Sequence, residues 1–150
     1  MAITYRLMTT THPLYPKCVR LRRNRFWEPM RIMTSVHFDK EERESLIFGA
    51  LNGTRTLVGC VLLTPEPEND WIRLRQLVVD ENYTHKGIAT QLVQLAMETA
   101  YFQDYRKIAL YAFEGITEFF EKFGFQIQSG WYTHANGMRS VLMIKEYPKR

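Results

Sequence analysis

The chain has 150 residues, 45% hydrophobic and 24% charged, a length and balance that suit one globular domain and exclude a disordered or fibrous protein. The formal net charge is +4 with a pI near 9.1, which favours an anionic partner such as a nucleotide, although the basic residues are spread along the chain. Cys18 and Cys60 lack metal-ligand spacing and a disulfide framework, so no metal and a reducing, cytoplasmic setting are expected. MAITYRLMT lacks the pattern of a secretory signal, and no run approaches about 18 apolar residues. A soluble protein with no membrane partner is expected.

In chain order, Ile3 to Met8 reads as an edge strand. From Pro13, LYPKCVRLRRNRFW sets Leu14, Cys18, Leu21 and Phe26 at helical spacing with arginines between them, and Pro29 stops the helix. Asp39 to Glu44 is a short polar turn of helix with an acidic start. SLIFGALNGTRTLVGCVLLTPE is a hairpin turning at Asn52-Gly53-Thr54-Arg55, since an Asn-Gly pair tolerates positive φ. After Pro65, Pro67 and Asn69, WIRLRQLVVD is a long central strand carrying Ile72, Leu74, Leu77 and Val79. At Gly87 the period changes: Ile88, Leu92, Leu95, Ala96 and Thr99 form one helical stripe. KIALYAF is a buried strand, GITEFFEKFGF a helix ending near Gly124, and MRSVLMIKE a final strand. The order predicts an α/β (α+β) domain, its sheet mostly antiparallel at first, with a strand–helix–strand crossover in the middle.

The most informative stretch is LVVDENYTHKGIATQLVQLAMETA. An apolar strand ends, a polar turn follows, and an amphipathic helix begins at once. A helix N-terminus presents unpaired N–H groups and partial positive charge. Gly87 has no Cβ, Ala89 is small and Lys86 adds a cation, so the turn reads as a cradle for a diphosphate.

This stretch resembles motif A of the GNAT (Gcn5-related N-acetyltransferase) superfamily, written Q/R-x-x-G-x-G/A after an apolar strand. Here it is Thr84-His85-Lys86-Gly87-Ile88-Ala89, after Leu77-Val78-Val79 and Tyr83; threonine replaces the usual first residue. LYAFEGITEFFEKFGF resembles motif B, with Glu121-Lys122-Phe123-Gly124-Phe125 matching its ending. LRRNRFWEP and GMRSVLMIKE are similar to the ElaA-like branch. The resemblance implies a GNAT fold and an acyl-CoA-dependent N-acetyltransferase that uses acetyl-CoA, or coenzyme A with another acyl group, as co-substrate and an unidentified primary amine as acceptor. It implies that Leu77, Val78 and Val79 hold the pantetheine arm, Thr84, His85, Lys86, Gly87, Ile88, Ala89 and Thr90 the pyrophosphate, and that Phe120 lines the coenzyme site.

It also raises a difficulty. Many relatives carry, at the position of Phe120, a tyrosine that protonates the departing thiolate, and phenylalanine has no proton to donate. Tyr111 and Tyr83 are the alternative acids, with Tyr111 preferred. The Val79 backbone N–H is the candidate that polarises the thioester carbonyl. Glu114 is a candidate base, or an acid at a helix start. His134 is a candidate base or a surface residue. Arg73 and Arg75 point into the acceptor cleft or at solvent. Arg20, Arg22, Arg23 and Arg25 read for the most part as a solvated helix face, whereas Trp27 and Phe26 close the core or one acceptor wall.

Two other readings compete with an enzyme acting by direct attack without an acyl-cysteine. Phe120 motivates a non-catalytic acyl-CoA sensor or regulatory module. The pI and arginine run motivate a nucleic-acid-binding domain, which is not favoured because no recognised binding motif is present. The terminal strand offers an edge for a homodimer.

Overall fold

The computed structural model describes residues 2–30, 40–66 and 70–148. Asp39, Pro67 and Asn69 lie outside these residues.

Strand β1 (Ile3–Met8) forms one sheet edge and pairs antiparallel with β2 (Leu46–Asn52), from Ile3 opposite Asn52 to Met8 opposite Ile47. Gly53, at φ +75°, turns the chain into β3 (Thr56–Pro65), as the Asn-Gly pair predicts. β3 is antiparallel to β4 (Trp71–Val79). Helix α3 (Ile88–Phe102) then crosses over to β5 (Lys107–Phe113), parallel to β4. β8 (Arg139–Glu146) runs antiparallel to β5, and two short strands, β6 (Gln126–Ile127) and β7 (Tyr132–Thr133), pair with its other side. Among the described residues the sheet has eight strands in the order β1-β2-β3-β4-β5-β8-β6, with β7 on β8.

Helix α1 (Tyr15–Arg22) continues into a π-helical turn, Arg23–Trp27, and α2 (Lys40–Glu44) precedes β2. α4 (Thr117–Glu121) is shorter than the run GITEFFEKFGF suggests; Gly124, at φ +93°, follows it. The terminal strand is not free to pair across a dimer, because β5 occupies one side of β8 and β6 and β7 occupy parts of the other. Backbone groups already in a ladder have no donors or acceptors left to offer. The two short strands leave no signal in the sequence, because two residues are too few to show a period.

The sheet divides two cores. On one face, Ile88, Leu92, Val93 and Ala96 of α3 pack on Ile72, Leu74, Ile108 and Leu110. On the other, Cys18, Val19, Leu21 and Trp27 cover Ile47, Cys60, Leu62 and Val78. Ile72 and Leu74 therefore face α3 while Val78 faces α1, a parity that a regular strand cannot give, because its side chains alternate with period two. The phase changes at a bulge where pairing jumps from Cys60–Val78 to Leu62–Arg75 and Gln76 takes φ +53°. The break between Leu74 and Leu77 was visible in the spacing.

A bulge bends its strand and increases local twist. Pairing of β4 with β5 runs only from Trp71–Lys107 to Arg73–Ala109. Beyond that the strands part, and a cleft opens through the centre of the sheet.

Gly59 lets α3 lie close to the sheet: a Cβ there would come within 3.1 Å of Ile88 Cγ2, 3.3 Å of Leu92 Cδ1 and 3.3 Å of the Val78 carbonyl oxygen. Gly59→Ala should lower stability by about 1–3 kcal/mol, seen as a reduced urea midpoint with unchanged slope, and Gly59→Val should lower it further.

Candidate functional site

The cleft holds a cavity of about 300 Å³. Leu74, Leu77 and Val79 line it from β4, Leu110, Tyr111 and Phe113 from β5. The Asp80 amide donates to the Val58 carbonyl at 2.8 Å while Val79 stands opposite Gly59. In an antiparallel ladder this makes Val79–Gly59 a pair that is not hydrogen-bonded, so the Val79 N–H and C=O turn away from β3 and toward the cleft. Arg25 Nε donates to that carbonyl at 3.0 Å. Val78, expected in the same binding row, is turned away: its side chain is buried in the α1 core and its backbone belongs to the ladder with Cys60.

At the end of β4 the chain tightens. Asp80 accepts from the Asn82 amide at 2.9 Å and caps a 3₁₀ turn, Glu81–Tyr83, while Thr84 Oγ1 donates to the Glu81 carbonyl at 3.2 Å. His85 and Gly87 then take positive φ, +60° and +79°. Left-handed residues in such a turn make backbone N–H groups converge, and the 15-residue α3 begins immediately beyond with no side-chain cap. A second cavity of about 310 Å³ sits here, lined by Tyr83, Thr84, His85, Gly87, Ala89 and Thr90. A Cβ on Gly87 would meet no atom within 4 Å, so the space over the turn is open. Ile88 is 2% exposed and anchored in the α3 core, so it offers its backbone. Lys86 is exposed and outside the lining of both cavities. Tyr83 is fixed by a 2.9 Å bond from Asn52 Nδ2 to its hydroxyl. The two cavities meet at Val79, Thr84, Ala89 and Phe119.

Behind the cleft lies a buried polar network. Arg22, which the helix reading placed among mostly solvated arginines, is 0% exposed and ion-paired with Glu42, 1% exposed. Its Nη1 also donates to Gln76 Oε1, the side chain of the bulge residue, at 3.0 Å. Tyr15 donates its hydroxyl to Glu42 at 2.7 Å, and the guanidinium stands 5.0 Å from the Trp27 ring centre. Burial pulls the Arg22 pKa down, but the hydrogen bond to Glu42 together with the charges of Cys18, Glu42 and Cys60 outweighs it, and the net direction is up. Burial followed by the Glu42 contact pushes the Tyr15 phenol up. Beside them, a hydrogen bond with Cys60 holds the Cys18 thiol below its ordinary value, and the same contact together with burial pushes Cys60 well up. Arg22 follows Cys18 by four residues, on the buried stripe of α1; that spacing was the signal for burial.

The remaining candidates separate clearly. Tyr111 is 59% exposed and lines the cleft. Phe120 is 4% exposed, stacked edge to face on Phe119 and Phe125, and forms part of the cleft wall. Glu114 faces Arg139 in a two-pronged ion pair at 2.9 and 3.0 Å, and that hydrogen bonding holds its carboxyl below the usual range. Such a carboxylate is a weak base. His134 shares a 2.7 Å hydrogen bond with Ser140 and lies 5.5 Å from the Phe113 ring. Arg73 and Arg75 lie outside the cleft lining: Arg73 bonds Glu41 at 2.7 Å in a surface ion pair, and Arg75 reaches Thr64 at 3.2 Å with Glu41 at 3.7 Å. Trp27 closes the α1 core, and Phe26 lines the cleft. Among the described residues no cluster of three or more His, Cys, Asp or Glu side chains could hold a metal, and no helix is long and apolar enough to cross a membrane.

Residues 5–125 match the model of the acetyltransferase (GNAT) family. No curated protein matches the sequence. Among solved structures, an acyl-CoA N-acyltransferase from Pseudomonas aeruginosa superposes with a TM-score of 0.83 at 12% identity, covering 96% of this chain and 99% of its own. ElaA from Escherichia coli gives 0.81 at 14% identity, covering 97% and 100%. A GNAT family acetyltransferase from Elizabethkingia anophelis, with acetyl-CoA bound, gives 0.73 at 17% identity, covering 97% and 98%.

The Arg22 network yields its own test. Arg22→Ala should destabilise the protein by about 3–5 kcal/mol, because it strands the buried Glu42 charge. The double variant Arg22→Met/Glu42→Leu should recover much of that loss in the same urea titration.

Proposed function

The chain belongs to the acetyltransferase (GNAT) family, and on that basis we propose that it transfers an acetyl group from acetyl-CoA to a primary amine by direct attack in a ternary complex. The observation that carries this reading is the junction of cradle and cleft at Val79, Thr84 and Ala89, beneath the open backbone of Gly87. The acetyl-CoA bound to the Elizabethkingia anophelis relative supports the same ligand here.

In this reading the pyrophosphate rests on residues 84–90, where convergent N–H groups and the start of α3 favour an anion. The pantetheine arm enters the splay and pairs with Val79, displacing Arg25 from its carbonyl. The thioester then lies in the cleft, and the Val79 N–H is the donor assigned to its carbonyl oxygen, where charge builds as the amine attacks. The nitrogen lone pair forms the new C–N bond, the C–S bond breaks, and the amine releases a proton to solvent. Tyr111 is the group assigned to protonate the departing thiolate, since Phe120 has no proton to give. With its pKa depressed by Arg139, Glu114 serves better as a framing ion pair than as the base. Direct attack is favoured over a covalent acyl-enzyme because Cys18 and Cys60 are both 0% exposed in the α1 core. Phe120 keeps one alternative in view, an acyl-CoA-binding module without turnover, which would bind coenzyme and release no thiol in the presence of amines.

Two substitutions test the reading. Gly87→Glu places a carboxylate over the cradle and should weaken coenzyme A binding by about 100-fold or more in calorimetry, whereas Gly87→Ala, which shares the φ +79° strain, should cost less. Tyr111→Phe should lower kcat by about 100-fold while leaving the Kd for acetyl-CoA unchanged.

A further inference from the structure

Building on the acetyl-transfer reading, we propose that the acceptor is a primary monoamine carried on an aromatic or similarly flat apolar body, selected by a wall of Phe26, Tyr111 and Phe113. The cleft has two distinct ends. Val79, Thr84, Ala89 and Phe119 line both cavities, so that end belongs to the coenzyme. Phe26, Tyr111 and Phe113 line the cleft alone. Phe26 and Phe113 meet edge to face at 6.0 Å, and the ring series continues from Phe113 to His134 at 5.5 Å and from His134 to Tyr132 at 4.9 Å. Tyr111 is 59% exposed between Leu110 at 2% and Ala112 at 0%. Its ring is therefore left out of both cores and available to a ligand, and aromatic faces favour both flat apolar groups and an approaching ammonium.

Charge narrows the class. Among the described residues that line the cleft, Arg25 is the one charged side chain, and it is a cation. The carboxylates around it lie outside that lining and are paired: Glu81 stands 3.8 Å from Arg25, Glu114 bonds Arg139, and Glu41 bonds Arg73. The reacting ammonium must lose its proton before it attacks, so it needs no permanent counter-ion. A second ammonium, as in a polyamine, or a neighbouring cation in a basic peptide would enter an apolar cleft beside Arg25 with no carboxylate among the described lining residues to meet it, and burying an unpaired charge is costly. The geometry thus favours 2-phenylethylamine-like acceptors and disfavours spermidine and lysine-rich peptides.

The test compares kcat/KM for 2-phenylethylamine, butylamine, spermidine and a lysine-rich peptide by thiol release at saturating acetyl-CoA. The proposal expects 2-phenylethylamine to exceed spermidine and the peptide by about 100-fold, and Phe113→Ala to lose about 10-fold of that activity with the Kd for acetyl-CoA unchanged. Spermidine or the peptide matching 2-phenylethylamine overturns the acceptor class and leaves acetyl transfer standing. Failure to bind acetyl-CoA at all overturns both. If coenzyme binds but no amine turns over, calorimetric titration of the protein–coenzyme A complex decides: 2-phenylethylamine binding about 10-fold tighter than butylamine upholds the wall, and equal or undetectable binding overturns it.

Discussion

Arg22 is a guanidinium with no contact with water, and the shape of the cleft depends on where its hydrogen bonds go. One set engages Glu42 of α2 and, through that carboxylate, Tyr15 of α1; another reaches Gln76 in the central strand. Each bond a buried charge lacks leaves part of its desolvation cost unmet; among the described residues Arg22 Nε has no partner, so the charge depends on the bonds its two Nη atoms make. The network therefore locks two helices and a strand into one arrangement, and the residue it grips in the strand is the one at positive φ.

That grip has consequences in both directions along β4. Toward the N-terminal end, Ile72 and Leu74 seat against α3 and the strand pairs with β5. Toward the C-terminal end, the reversed parity puts Val78 under α1, turns the Val79 backbone toward the cleft, and carries the chain into the turn that starts α3. The bulge thus separates a structural half-strand from one whose Val79 backbone faces the cleft. Backbone donors are well suited to recognising an invariant coenzyme arm, since they are held by the sheet rather than by rotatable side chains.

The two regions of the site differ in their physics. In the proposed reading the cradle would work by converging N–H groups, open space over Gly87 and the onset of α3, with side chains contributing little. The acceptor end, in the same reading, would work by side chains: rings that are not needed for either core and one cation, with no carboxylate among the described residues that line the cleft.

The amino-acid sequence by itself determined the main element types and the central crossover, and marked the turn proposed as a cradle, because each is written in local patterns: the Asn-Gly turn, the switch of period at Gly87, and the small residue at Ala89. The family model spanning residues 5–125 agrees with what those motifs imply. Tertiary structure alone decided where the polar side chains stand. Nothing local pairs Arg22 with Glu42 and Gln76, which are 20 and 54 residues away. Nor does anything local assign Glu114 to Arg139, Arg73 to Glu41, or Tyr111 to the cleft. Backbone conformation is dictated by neighbours a few residues apart, whereas the partner of a charge is set by which distant segments the packed cores bring within hydrogen-bond reach.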